Sequence, residues 1–169
     1  DPPYPKEYLP LWEDLAREAA RVLKPSGFLI SYSGQTYLPQ VMYSLGKNLD
    51  YYWLMGLYHS GPTGQRFDVN MWNRFKPILL YNKPPKEKQE KWIEDIIMSG
   101  RPNKDSHEWG QNSEAFIKLI EDFSKPGDLI LDPMFGGGAT IEAAIKTNRH
   151  IIGYEIDKEV YNLVNKRIK

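Results

Sequence analysis

Residues Gly127–Ile145 read GDLILDPMFGGGATIEAAI, three patterns in immediate succession. Asp128–Asp132 is a short aliphatic run bounded by acids, the signature of a buried strand. Pro133–Ala139 contains Gly136, Gly137 and Gly138, a turn whose backbone can reach positive φ and let a ligand come close. Thr140–Thr147 is built of helix formers. A strand that passes through a glycine turn into a helix opens a βα unit, and open α/β sheets bind ligands at the carboxyl ends of such strands.

Working outward, the same alternation continues on both sides. His150–Glu155 (HIIGYE) reads as a second strand, and Asp157–Ile168 as a closing helix with Asp157 at its N-cap. Ser113–Ser124 is a helix with Phe116, Ile117, Leu119, Ile120 and Phe123 on one side. Toward the N-terminus, Glu7–Leu23 repeats apolar residues at three- and four-residue steps and stops at Pro25-Ser26-Gly27. Gly27–Ser33, Tyr51–Gly61 and Lys76–Lys83 have strand character, and Thr36–Lys47 is a helix with Pro39 in its first turn. Pro62–Arg74 is expected to be a loop. Pro84–Gln111 has no clear assignment, although Trp92, Ile93, Ile96 and Ile97 have helical spacing. These elements predict an α/β fold: a mostly parallel open sheet with helices on both faces.

Composition narrows the classes. An apolar fraction of 41% with 13% aromatics can build a core in 169 residues, so the chain is not a disordered tail. No apolar run approaches the about 20 residues of a membrane span, and no signal-peptide pattern is present, so a soluble, cytoplasmic protein is expected. The absence of cysteine removes disulfides, thiolate metal sites and a thiol nucleophile, and the three histidines lack metal-ligand spacing; no metal is expected. Net charge is zero but unevenly distributed. Arg66–Lys91 holds seven Lys or Arg against three Asp or Glu, whereas Trp92–Asp122 reverses this to three against seven. The basic stretch is able to meet phosphates.

The glycine turn differs from G-x-G-x-x-G, and no G-K-[ST] follows it, so neither a dinucleotide nor a P-loop site is indicated. Asp132 stands directly before it. A carboxylate there repels a pyrophosphate and attracts an ammonium group. Glu155, ending the next strand, is placed to accept both hydroxyls of a ribose. S-adenosylmethionine carries both groups, an α-ammonium and a ribose diol.

Leu131–Thr140 (LDPMFGGGAT) resembles the D-P-F-x-G-S-G-T-T cofactor motif of amino-DNA methyltransferases, and Gly153–Asp157 (GYEID) resembles their second motif. Asp1-Pro2-Pro3-Tyr4 is similar to their catalytic motif, [DNS]-P-P-[YFW]. With the catalytic motif first and the cofactor motif last, the order resembles the β-class, a circularly permuted Rossmann-like arrangement. Met134 stands where the family has Phe, and Gly137 and Ala139 replace Ser and Thr, which leaves the hydrogen bonds of those hydroxyls in doubt. The resemblance implies S-adenosylmethionine as cofactor, held by Asp132, Pro133, Phe135, Gly136, Gly138, Thr140 and Glu155, with Gln111 and Ser113 (and the neighbouring His107 and Trp109) lining the same pocket. It also implies double-stranded DNA as partner. A homodimer, a companion restriction enzyme and an additional N-terminal domain stay open.

Within that resemblance DPPY acquires a task. An exocyclic amine is a poor nucleophile because its lone pair is delocalised into the ring. If Asp1 and the carbonyl of Pro2 accept its two N–H groups, the nitrogen can pyramidalise toward a methyl donor; Pro3 helps hold that carbonyl rigid. Tyr4 offers a ring on which an extruded base stacks. Cytosine C5 methylation needs a thiolate, so the product is expected at an exocyclic amine, adenine N6 ahead of cytosine N4. Residues 1–169 are then a catalytic domain with a short target-recognition insertion around 61–110, where Arg66, Asn73 and Arg74 meet bases or phosphates. Asn70 belongs to the same group of candidates. Because this motif ordinarily follows a buried strand, a strand preceding Asp1 is expected. An RNA or protein-amine methyltransferase and a catalytically silent nucleic-acid-binding module are the alternatives.

Overall fold

The periodic segment near the N-terminus forms helix α1 (Leu9–Val22), entered through a 3-10 turn at Lys6–Tyr8. Pro10 sits in its first turn, where a missing N–H costs nothing. Trp12, Ala16 and Ala19 face inward, and the helix stops where Leu23 becomes extended. The computed structural model describes residues 2–59, 64–99 and 113–168. They fall into two compact units, Asp1–Met98 and Ser99–Lys169.

After α1 the first unit continues with β1 (Phe28–Tyr32), α2 (Leu38–Gly46) and β2 (Asp50–His59). Next come β3 (Gly64–Arg66), β4 (Met71–Asn73), β5 (Phe75–Asn82) and β6 (Ile96–Ser99). Four strands pair in the order β1-β5-β2-β6. Because β5 is antiparallel to both β1 and β2, those two strands run in the same direction with one reversed strand between them. The β1-β5-β2 part of the sheet is therefore antiparallel. β5 is buried from Pro77 to Asn82, as expected of a central strand covered on both faces. Trp12, Ala16, Val41, Leu45, Leu79 and Tyr81 build the core under α1 and α2, and the Tyr81 hydroxyl donates to the Met42 carbonyl at 2.9 Å.

The second unit contains α3 (Ser113–Phe123), β7 (Leu129–Asp132), α4 (Ala139–Lys146), β8 (His150–Gly153) and α5 (Lys158–Arg167). β7 and β8 are parallel, in a register that sets Asp132 opposite Gly153. Ala143 and Ala144, fully buried, let α4 pack closely against Ile120 of α3 and against Ile130 and Ile151 of the strands. Asp157 caps α5 as expected, accepting from the N–H groups of Glu159 (2.8 Å) and Val160 (3.2 Å).

Two segments differ from the sequence expectation. The loop at Pro62–Arg74 contains a β3–β4 hairpin, paired Gly64↔Asn73, Gln65↔Trp72 and Arg66↔Met71. Its strands are three residues long, too short for alternation to register as a pattern. Of the four residues with helical spacing, Ile96 and Ile97 lie on strand β6, and Trp92 and Ile93 precede it outside any helix. Ile96 and Met98 are exposed while Ile97 is buried, the two-residue period of a strand. Among the described residues no helix is long and apolar enough to cross a membrane.

Leu45, with no exposed surface in the α1–α2 core, is a direct test of this packing. Leu45→Ala should cost about 2–5 kcal/mol, seen in urea denaturation as a lower midpoint at unchanged slope.

Candidate active site

At the carboxyl ends of β7 and β8 the backbone closes on itself. Tyr154 N–H donates to the Asp132 carbonyl at 2.9 Å, and Phe135 N–H returns to the Tyr154 carbonyl at 3.1 Å. The Asp132 side chain accepts from Met134 N–H at 3.1 Å, folding the turn back over the strand end. Glu155 receives two backbone donors, Gly136 N–H on one oxygen and Asp157 N–H on the other, both at 2.9 Å. Gly136 (φ 47°) and Gly138 (φ 81°) adopt left-handed backbone. A Cβ on Gly138 would lie 2.7 Å from Val164, whereas one on Gly136 would enter open space.

Three further contacts brace this turn. Phe135 is buried among Ile141, Val164 and Ile151, and it fits only because Gly153 lacks a Cβ, which would meet its ring at 2.7 Å. Arg167 of α5 donates to the Gly137 carbonyl and pairs with Glu142 at 2.9 Å. The turn thus presents two carboxylates, Asp132 and Glu155, beside a bare glycine backbone.

The first unit holds a cleft of about 660 Å³ lined by Tyr4, Gln35, His59, Arg66, Asn73 and Lys76, among others. The Tyr4 ring lies against Gly34, where an added Cβ would meet it at 3.2 Å. The Lys76 ammonium sits 5.2 Å from the Tyr4 ring centre and 4.5 Å from that of buried Tyr32. Burial pushes the Lys76 ammonium down to about 8. Burial also raises both tyrosine hydroxyls well above their ordinary value, with Tyr32 adding to the effect on Tyr4. Arg66 grips Asp68 with two nitrogens, at 3.0 and 2.7 Å, and donates to the Thr36 hydroxyl.

Residues 4–166 match the N6/N4 family described as DNA methylase. The chain belongs to this DNA methylase family. The Type II methyltransferase M.HpaI of Haemophilus parainfluenzae is 23% identical over 96% of the chain; the match takes in 60% of that relative, so the chain spans about three fifths of its length. Two solved structures share the fold. The M1.HpyAVI–SAM complex superimposes with a TM-score of 0.80 at 21% identity, over 98% of this chain and 85% of that one. PvuII DNA methyltransferase, cytosine-N4-specific, gives 0.82 at 14% identity, over 96% and 71%. The α/β methyltransferase fold expected from the sequence is the one found.

In this methylase chain the structure brings Asp132, Pro133, Phe135, Gly136, Gly138 and Glu155 into one turn, with Thr140 just behind it in the first turn of α4. Ser113 begins α3 and, among the described residues, makes no hydrogen bond to that turn. Pro2 is buried, Pro3 exposed, and Tyr4 lines the cleft together with Arg66 and Asn73; Arg74 is exposed and does not line it. Asp1, His107, Trp109 and Gln111 lie outside the described residues. Sequence reasoning missed Lys76, Tyr32, Gly153 and Arg167. Only Gly153 left a signal, a glycine at a strand end beside an acid.

Lys76 makes stability depend on pH in a defined direction. Its ammonium is depressed in the folded chain, so between about pH 8 and the ordinary lysine value of about 10.4 the unfolded state binds more protons, and stability rises with pH. Wild type should gain stability relative to Lys76→Met between about pH 7.5 and about pH 9.5 in chemical denaturation, below the range in which tyrosines of the unfolded chain ionise. A pH-independent difference would contradict a desolvated ammonium.

Proposed function

We propose that this chain transfers a methyl group from S-adenosylmethionine to the exocyclic amine of a base extruded from double-stranded DNA, adenine N6 in the first instance. The observation that carries the reading is the pair Asp132 and Glu155 at the ends of two paired parallel strands, with left-handed Gly136 between them.

The residues present fit the cofactor. Glu155 is fixed by two backbone N–H groups and keeps lone pairs on both oxygens for a ribose diol, a charge-assisted interaction. Asp132 supplies the acid for an ammonium. Gly136 leaves open the space that any Cβ would fill. S-adenosylmethionine, when bound, supplies a methyl group on a sulfonium sulfur, a strong electrophile. Phe135 and Arg167 hold the turn in its binding shape beforehand, so little ordering is left to occur on binding.

The cleft beside Tyr4 supplies the other half of the chemistry. Its volume accommodates a base, and the Tyr4 ring, held against Gly34 and beside Lys76, provides a stacking surface. Asp1 and the Pro2 carbonyl then accept the two amine N–H groups as the nitrogen pyramidalises, so that a lone pair becomes available for attack. These acceptors act most strongly in the transition state. Residues 61–110 are read as the target-recognition insertion, Arg66, Asn73 and Arg74 as its contacts, and Gln111 and Ser113 as part of the cofactor pocket. On this reading the protein works in the cytoplasm, on DNA. Cytosine N4 is the second reading, favoured by the likeness in fold to the cytosine-N4-specific PvuII enzyme.

Mass spectrometry of nucleosides from DNA and matched RNA incubated with the protein and labelled cofactor decides among these targets. N6-methyladenine in DNA is the expected product, and a C5-methylated base or methylated RNA alone would sink the reading. Glu155→Ala should weaken S-adenosylmethionine binding about tenfold or more in calorimetry, from loss of a charge-assisted contact of roughly 1.5–3 kcal/mol; Glu155→Gln, which keeps one acceptor, should lose less. Asp1→Ala should keep cofactor affinity and lower kcat by about 10²–10³. An Asp1→Ala protein turning over at the wild-type rate would remove Asp1 from the chemistry.

A further inference from the structure

The β3–β4 hairpin exposes four large apolar side chains within six residues: Phe67 (80%), Val69 (60%), Met71 (63%) and Trp72 (60%). Its register decides where they point. Cross-strand partners share a face and neighbouring pairs alternate, so Met71 lies on the side of Gly64, Arg66 and Asn73, while Trp72 and Gln65 lie on the other. Gly64, Arg66 and Asn73 are cleft-lining residues. The cleft-side face of the ribbon therefore runs from Gly64 and Asn73 at its base to the Arg66–Met71 pair beside the turn, and Phe67 stands in the turn itself.

The turn end is braced. Arg66 is tied to Asp68 and Thr36, Val69 N–H returns to the Arg66 carbonyl at 3.3 Å, and Asn70 takes the left-handed backbone (φ 51°) that closes the turn. A short ribbon thus holds an aromatic side chain in solvent at the tip of a hairpin that has one face on the base cleft. Solvent exposure of such a patch marks a contact surface.

We propose that Phe67, backed by Met71, is a wedge that enters the DNA base stack beside the target and fills the space the extruded base leaves. This rests on the DNA reading above. Three observations favour a duplex over another occupant. A two-stranded ribbon has the width that the major groove admits. An extruded base leaves two apolar base faces in contact with water, which an inserted apolar side chain covers. The hairpin opens the basic stretch from Arg66 to Lys91, with seven Lys or Arg against three Asp or Glu, which suits phosphates and opposes pairing with a second copy of the same surface.

The test is methyl transfer by the full chain to duplexes carrying either a matched target pair or a mismatch at the target. A mismatched base is already partly released, so a wedge matters less there. Phe67→Ala should lower kcat/KM on the matched duplex at least about tenfold, the scale of one lost stacking contact, and stay within about threefold of wild type on the mismatched one. Phe67→Leu should retain most of the matched-duplex rate. With 2-aminopurine at the target, the fluorescence rise on binding should be lost in Phe67→Ala and kept in Phe67→Leu. Unchanged thermal stability of Phe67→Ala controls for folding. Equal losses on both duplexes, or no loss on either, would overturn the wedge and leave the methylation reading standing. A change of oligomeric state in Phe67→Ala by sedimentation would overturn it in favour of a self-association surface. A wild-type chain inactive on both duplexes would overturn the methylation reading itself, and the wedge with it.

Discussion

The Gly136 N–H to Glu155 hydrogen bond closes the turn that the second unit is organised around. It is available only because the backbone at Gly136 and Gly138 takes positive φ, and Gly138 takes it where Val164 leaves no room for a Cβ. Phe135 can then drop into the core beneath Gly153, and Arg167 can reach the Gly137 carbonyl. Each of these depends on the one before. The consequence is a carboxylate held by two backbone donors at the end of a strand, oriented before any ligand arrives. An acceptor ordered in advance loses little freedom on binding.

The first unit solves a different problem, how to present an aromatic face without letting it collapse into the cleft. Gly34 allows the Tyr4 ring to lie flat on the chain after β1. Lys76 sits beside Tyr4 and Tyr32 at cation–π distances. Its position is a compromise, since the rings favour the charged form while burial opposes it, and burial dominates the net shift. The Lys76 stem supplies packing whichever protonation state prevails. Tyr4 is thereby held by contacts from the chain after β1 and from β5.

The second unit was largely legible in the sequence because its signals are local. DLILD, the three glycines and Asp157 each announce a strand, a turn and a cap within a few residues. The acids at 132 and 155 could be singled out as candidates from chemistry alone, since an acid before a glycine turn repels phosphate and one at the next strand end can accept from a diol. Lys76 and Tyr32 were not legible, because they meet Tyr4 through the sheet pairing of β1 with β5, more than forty residues apart. Arg167 closes on Gly137 from 30 residues away and carries no motif. The β3–β4 hairpin went unread for a different reason: with three-residue strands, pairing and register come from the turn around Asn70 rather than from any hydrophobic period.

Charge separates the two proposed ligands along the chain. A sulfonium with an ammonium group calls for acids, and Asp132 and Glu155 stand at the turn that would receive it. A duplex calls for bases, and the stretch from Arg66 to Lys91 supplies an excess of four, seven minus three. At physiological salt these fields act only within a screening length of about 8–10 Å. A neutral chain gains less from releasing counterions than a strongly basic one. On the DNA reading, more of the hold on a duplex would then come from contacts that salt does not weaken, namely stacking and apolar burial. Arg66 illustrates the balance, since its guanidinium already bonds Asp68 and Thr36 and so braces the turn end of the hairpin. An apolar turn braced by Arg66 is the form such a contact would take.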